Sequence, residues 1–332
     1  RDLDDSFAGQ GVFNTTGLGQ SRRLETSPGQ SATYYLQLKN HGNTTNRMRL
    51  TASSPGVDWA LNVCGARPAL RFDGWDDYVS IPNSTNLHSD RGLSVSAWIR
   101  TDGYPRQWQN ILWKGNTPDC TGGCENREYA LWLHSNGHIA LSSTPTSRIG
   151  AGELFLETAA GGIQANRWHH IAAVLNSDDN TMRIYIDGDL KALGGYSTNS
   201  IRTTTGPLQI GLNAPGQWPF LGSIQQVSLW GKALPAVDIA QLGIRNPIGS
   251  ETQLRGYWPL IDGEGLIARD ASKNRNHGTL TNGPVWGFAP VDGSSCFDLA
   301  PFLGAGWTNL VLEPKSSLDF VVQVTPGPHA AA

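Results

Sequence analysis

The side chains able to do chemistry in this 332-residue sequence are few and scattered. His169 and His170 look like a metal pair, but neighbours on a strand point to opposite faces and cannot share one ion. One imidazole is expected inside the fold and the other outside. His134 and His138 flank the turn Ser135-Asn136-Gly137 and should meet across a hairpin. Without a third ligand, two histidines do not make a metal site. No Ser-His-Asp context, nucleophile elbow or phosphate-cradling glycine motif occurs. What remains is aromatic. Trp75 (GWDD), Trp108 (PRQWQN) and Trp218 (PGQWPF) sit in loop-like polar contexts, with Asp76, Asp77, Arg106 and Gln217 beside them. An exposed ring flanked by hydrogen-bonding groups can stack on the C–H face of a sugar or seal an interface. Both readings stand.

Strands must carry these loops. The segment 167–192 (RWHHIAAVLNSDDNTMRIYIDGDLKA) reads as strand, turn, strand, turn, strand, with Asp178-Asp179-Asn180 and Asp187-Gly188 at the turns. Trp98, Trp113, Trp132, Trp168, Trp230 and Trp258 lie in alternating apolar strands and are expected in the core. Only residues 234–242, with Pro235 at the first turn and Gly243 after it, read as a helix. The fold class is all-β.

Composition narrows the function. The 25 basic and 28 acidic residues form no runs, which excludes a basic nucleic-acid face. No apolar run approaches the ~20 residues that span a bilayer, so no membrane span is expected. The chain begins at Arg1 without methionine or leader-like segment, as expected of a mature product or a fragment. Four cysteines and three sequons (Asn14, Asn43, Asn83) point to an extracellular or cell-surface protein. Asn14, Asn43 and Asn83 are therefore candidate glycosylation sites.

The character of the sequence changes twice. Residues 69–286 hold ten of the twelve tryptophans, while 1–65 and 294–332 share a plainer strand-and-turn character. The simplest account is insertion: one small β-sandwich from 1–65 plus 294–332, interrupted by a second domain over 66–293. A Cys64–Cys296 disulfide would clip the neck, and Cys120 and Cys124 (DCTGGCEN) would close a local one.

Several phrases of the insert resemble the concanavalin A-like jelly-roll family, specifically its laminin-G-like bacterial domains. They include ALRFDGWDDYVSIP (69–82), LSVSAWIR (93–100), RWHHIAAV (167–174), IYIDGDL (184–190), LGSIQQVSLWGKALPAVDI (221–239) and YWPLIDGEGLIARDASKNRNHGTLTNGPVW (257–286). The outer part, through GQGVFNTTGLGQ (9–20) and SPGQSATYYLQLKNHGNTTNRMRL (27–50), resembles Ig-like repeats of bacterial surface proteins. Together these imply a jelly roll inserted into a smaller Ig-like sandwich. Hydrolytic members of the fold carry paired carboxylates where this chain has Gln225-Gln226, and amides shuttle no protons. The resemblance also implies Asp73, Asp270 and Asn276 as candidate ligands of a structural calcium ion, the same residues serving otherwise as turn formers. The expected function is non-enzymatic: a self-associating surface or filament subunit displaying a lectin-like adhesion domain, with residues 1–20 as a strand-exchange arm. The alternatives are a carbohydrate-binding module of a secreted protein and, behind it, a glycoside hydrolase.

Overall fold

The computed structural model describes residues 32–39, 46–50, 59–64, 66–115, 127–148, 152–197, 200–213, 218–263, 265–290, 296–298, 307–312 and 317–326. Asn14, Asn43, Cys120, Cys124, Gln217 and the arm at 1–20 therefore lie outside the described residues. The strands begin with β1 (Ala32–Lys39), β2 (Asn46–Leu50), β3 (Trp59–Cys64), β4 (Ala66–Asp73), β5 (Tyr78–Ile81), β6 (Gly92–Thr101) and β7 (Trp108–Gly115). They continue with β8 (Arg127–His134), β9 (Ile139–Ser143), β10 (Leu154–Glu157), β11 (His169–Asn176), β12 (Thr181–Ile186), β13 (Asp189–Gly195) and β14 (Leu208–Ile210). After β15 (Leu221–Trp230) comes helix α1 (Ala236–Leu242), then β16 (Leu254–Trp258), β17 (Ile267–Ala268), β18 (Gly278–Thr281) and β19 (Val285–Pro290). The last three are β20 (Cys296–Asp298), β21 (Trp307–Leu312) and β22 (Ser317–Pro326).

The chain divides into two compact units: 69–286, and the flanks 1–68 with 287–332. In the flanking unit a four-stranded sheet runs β1-β22-β3-β20, and β2 pairs with β21. Cys296 stands opposite Cys64 in the β20–β3 ladder.

The larger unit is a sandwich of two antiparallel sheets. One runs β10-β9-β8-β7-β14-β5-β18-β17, the other β13-β12-β11-β6-β15-β4-β19, with β16 also paired to β15. Alternation gives each sheet one inward face. Leu112, Leu131 and Leu141 from the first meet Ile99, Ile171 and Leu175 from the second in one buried cluster.

The second sheet is buried on its outer face too. Ser94 Oγ donates to the Lys232 carbonyl (2.9 Å) and accepts from the Leu234 N–H (2.8 Å), pinning the segment before α1 onto β6. A Cβ on Gly243, just past α1, would stand 3.2 Å from His170 Nδ1. Both His169 and His170 are consequently buried. This corrects the expectation of one imidazole outside: they do point to opposite faces, but the outer face is roofed over. His169 Nδ1 bonds Asp187 (2.8 Å) at a turn where Asp187 and Gly188 both take positive φ, 54° and 87°.

Candidate functional site

Three loops meet at one end of the jelly roll. The β4–β15 ladder sets Asp73 opposite Leu221, so the loop after β4 lies beside the loop before β15. Gly74 makes the turn at φ +78°, where a Cβ would stand 2.9 Å from Leu221 Cβ. The next residue, Trp75, is 72% exposed, and the Arg106 guanidinium lies 5.9 Å from its ring centroid. Trp218 is 37% exposed with φ +54°, an uncommon conformation for a bulky residue, and its carbonyl accepts from the Asn110 N–H at 2.7 Å. Gln109 ties these loops together. Fully buried, it donates to the Gly103 carbonyl (2.9 Å) and accepts from the Leu221 N–H (2.8 Å). Nothing in the sequence distinguished Gln109 from a surface glutamine, since Leu221, the partner that buries it, lies 112 residues away.

Beneath Trp75, the ligand atoms of Asp73, Asp76 and Asp77 lie within 4.8 Å of one another. Asp73 Oδ1 accepts from the Trp75 N–H and Asp77 Oδ2 from the Asp73 N–H, each at 2.8 Å. Burial pushes the Asp77 carboxyl up to about 6, and the Asp73 and Asp76 charges add to this against the Asp73 N–H bond. Among the described residues this is the sole group of three close acidic, histidine or cysteine side chains.

Asp270 and Asn276 belong elsewhere. Asp270 lies beyond the Gly278 end of β18, whereas Asp77 precedes Tyr78, the partner of Thr281 at the other end. The Asp270 carboxylate is consumed by the N–H groups of Tyr257, Ser272 and Asn276 and by Ser272 Oγ. The expected ligand set of Asp73, Asp270 and Asn276 is therefore corrected: Asp270 and Asn276 brace their own turn.

Trp108 is not in a loop, contrary to expectation. It opens β7, half-buried, with ring centroids of His134 at 4.5 Å, His138 at 5.3 Å, Phe155 at 5.6 Å and Trp132 at 6.3 Å. The β7–β8 register places Trp108 opposite His134, which makes the contact obligatory. His134 and His138 do meet across their turn, stacked at 4.4 Å and 4°. His138 Nε2 is 3.3 Å from Glu157 Oε1. Burial holds the His138 imidazole below its usual range, with Glu157 opposing and His134 reinforcing. Alongside, the Arg127 guanidinium packs 5.3 and 5.0 Å from the Trp113 and Trp132 centroids and pairs with Glu153.

Trp113, Trp132, Trp168, Trp230 and Trp258 are buried, and Trp98 is half-buried against His170 at 5.5 Å. Gln225 and Gln226 are also buried, at a register break in β15 where Gln226 takes φ +52°. Asn83 is exposed, just before the Ser84-capped turn Thr85–Leu87. No helix among the described residues is long and apolar enough to cross a membrane.

A family profile described as the concanavalin A-like lectin/glucanases superfamily matches residues 72–240. No curated protein matches the chain in sequence. A Bacteroides ovatus protein designated carbohydrate-binding superposes with a TM-score of 0.54 at 14% identity, over 80% of this chain and 93% of its own. The CBM40 of the Ruminococcus gnavus IT-sialidase, bound to α2,3-sialyllactose, gives 0.42 at 13% identity, over 54% and 97%. A SAP-like pentraxin of Limulus polyphemus gives 0.41 at 14%, over 73% and 100%. At such identities the Bacteroides likeness establishes a shared fold.

Proposed function

Because the chain belongs to the concanavalin A-like lectin/glucanase superfamily, we propose that its jelly roll is a non-catalytic carbohydrate-binding domain. The observation that carries this reading is the rim, where the exposed Trp75 ring, its Arg106 neighbour and the Trp218 ring stand on adjoining loops. Holding a tryptophan at φ +54° costs roughly 1–2 kcal/mol, a strain met mainly at functional positions. Asp76 is the neighbouring residue assigned to hydrogen-bond a sugar. Asp77 is withdrawn from that role, being 3% exposed and bonded within its loop. For the same reason it is a poor acid catalyst despite its raised pKa. A retaining glycosidase needs accessible carboxylates ~5–5.5 Å apart on either side of the scissile bond.

Calcium fits the loop. Asp73, Asp76 and Asp77 supply hard oxygen donors at close quarters, and a divalent cation would relieve their repulsion and stiffen the turn that carries Trp75. The assay is a screen of immobilised polysaccharides and glycans, with and without calcium. Saturable binding lost in Trp75→Ala and Trp218→Ala supports the reading; no saturable binding to any glycan overturns it.

The two-unit organisation supports a wider role, in which the flanking unit is an Ig-like assembly module of an extracellular surface or filament subunit. Electron microscopy of the native material tests this. Ordered polymers are expected, and dispersed particles favour a carbohydrate-binding module of a secreted protein.

A further inference from the structure

Away from the rim, the jelly roll buries an amine beside a carboxyl. Lys114 on β7 and Glu128 on β8 both have fully buried side chains, 3.6 Å apart at their charged atoms. The register runs Lys114↔Tyr129 and then Gly115↔Arg127, so Glu128 is an extra residue in its strand. Such a bulge re-aims a side chain. Lys114 Nζ donates to Asn83 Oδ1 (2.8 Å), the Gly206 carbonyl (2.8 Å), and the carbonyl and Oγ1 of Thr204 (3.2 Å each). Glu128 Oε2 accepts from the Thr204 N–H (3.1 Å) and Oγ1 (3.2 Å). His88 Nδ1 stands 2.9 and 3.0 Å from the two Glu128 oxygens.

We propose that Lys114 and Asn83 are the two ends of an intramolecular isopeptide bond, formed with Glu128 as the proton carrier. The amine already touches the oxygen of the carboxamide whose carbon it must attack, which leaves Nζ a short approach to Cγ. Burial lowers the basicity of Lys114, against the opposing pull of Glu128. A desolvated lysine of this kind holds a fraction of its amine neutral and nucleophilic. Nζ adds to Cγ, Glu128 takes the proton from Nζ and delivers it to Nδ2, and Nδ2 leaves as ammonia. One C–N bond forms and one breaks, with no change of oxidation state. His88, partly exposed, links Glu128 to solvent for the proton exchange. Asn83 itself is exposed, which gives the ammonia a way out. The same nitrogen is the acceptor of the Asn83 sequon, so linkage and glycosylation exclude each other there.

A plain buried ion pair would show the same contacts, so the test is covalent. The full chain, purified folded, is reduced, denatured and weighed, then digested and sequenced by tandem mass spectrometry. The expected mass lies about 17 Da below the sequence mass, the weight of the expelled ammonia. A branched peptide should join Asn83 to Lys114, and trypsin should not cut after Lys114. Glu128→Gln, checked for folding by circular dichroism, should keep the full mass. Should that variant not fold, Asn83→Ala, a change at an exposed residue, should restore cleavage after Lys114. Three results overturn the proposal: a full mass with a cleavable Lys114 in the folded wild type, a 17 Da loss confined to the Asn83 peptide as a succinimide would give, or a glycan on Asn83.

Discussion

Replacing Trp75 by alanine separates binding from folding. The ring is 72% exposed, and its polar companion, Arg106, contacts it at 5.9 Å. The folded state therefore loses little, within about 0.5 kcal/mol for an exposed position plus a cation–π contact worth about 0.5–1 kcal/mol. A sugar stacked on one face of the exposed ring would cover about 70 Å², which at ~25 cal/mol per Å² is about 1.7 kcal/mol. Affinity for the ligand should fall by roughly 15- to 20-fold. Affinity electrophoresis in gels containing the polysaccharide measures this, with urea denaturation run in parallel. The reasoning is refuted if Trp75→Ala binds as tightly as the wild type, or if it loses several kcal/mol of stability. The second outcome would mean that the ring is part of a packed interior and not a platform.

Three further outcomes are expected. The Asp77 carboxyl, raised to about 6, keeps its proton in the folded chain at pH values where the unfolded chain has lost it. Metal-free stability should therefore fall as pH rises from about 4 through about 6, and calcium, which needs the ionised form, should raise the melting temperature more at neutral pH than near pH 5. Asp77→Asn should abolish both effects in a thermal-shift titration. Gly222→Ala places a Cβ 2.1 Å from the Arg100 carbonyl oxygen and 2.8 Å from Thr101 Cα at φ +136°. Since neither atom can swing aside, at least about 2 kcal/mol should be lost, and an unchanged urea midpoint would contradict the close approach of β15 to β6. In the β3–β20 ladder, facing Cα atoms about 4.5–5.5 Å apart suit a disulfide, so Cys64 and Cys296 should resist thiol labelling until reduced.

The strands were legible where alternation and turn residues coincide. The segment read as three strands is β11, β12 and β13, and the helix expected at 234–242 is α1, starting one residue after Pro235. Trp75 was legible because Gly74 and the two aspartates after it leave no apolar partner nearby. Trp108 was misread for the same reason inverted: its sequence neighbours Gln107 and Gln109 are polar, and its true partners come from β8 and β10. The acidic cluster was split between two expected sites, because sequence could not say that the turn folds Asp73 back onto Asp77. The Lys114–Glu128–Asn83 contact was invisible. It depends on a bulge in β8 and on a loop 31 residues before Lys114.

The pairing of β1 with β22 imposes a timetable on synthesis. Ala32 meets Val324, its ladder partner, only after about 290 further residues have been made, and at roughly 5–20 residues per second that is about 15–60 s. The whole of 69–286 emerges in between and finds its partners within itself. Throughout that interval ATYYLQLK has no mate among the described strands and offers its backbone to any neighbouring chain on the same polysome. Strand β1 is thus exposed to its neighbours until β22 arrives, and the yield of soluble protein should depend on how quickly translation reaches β22.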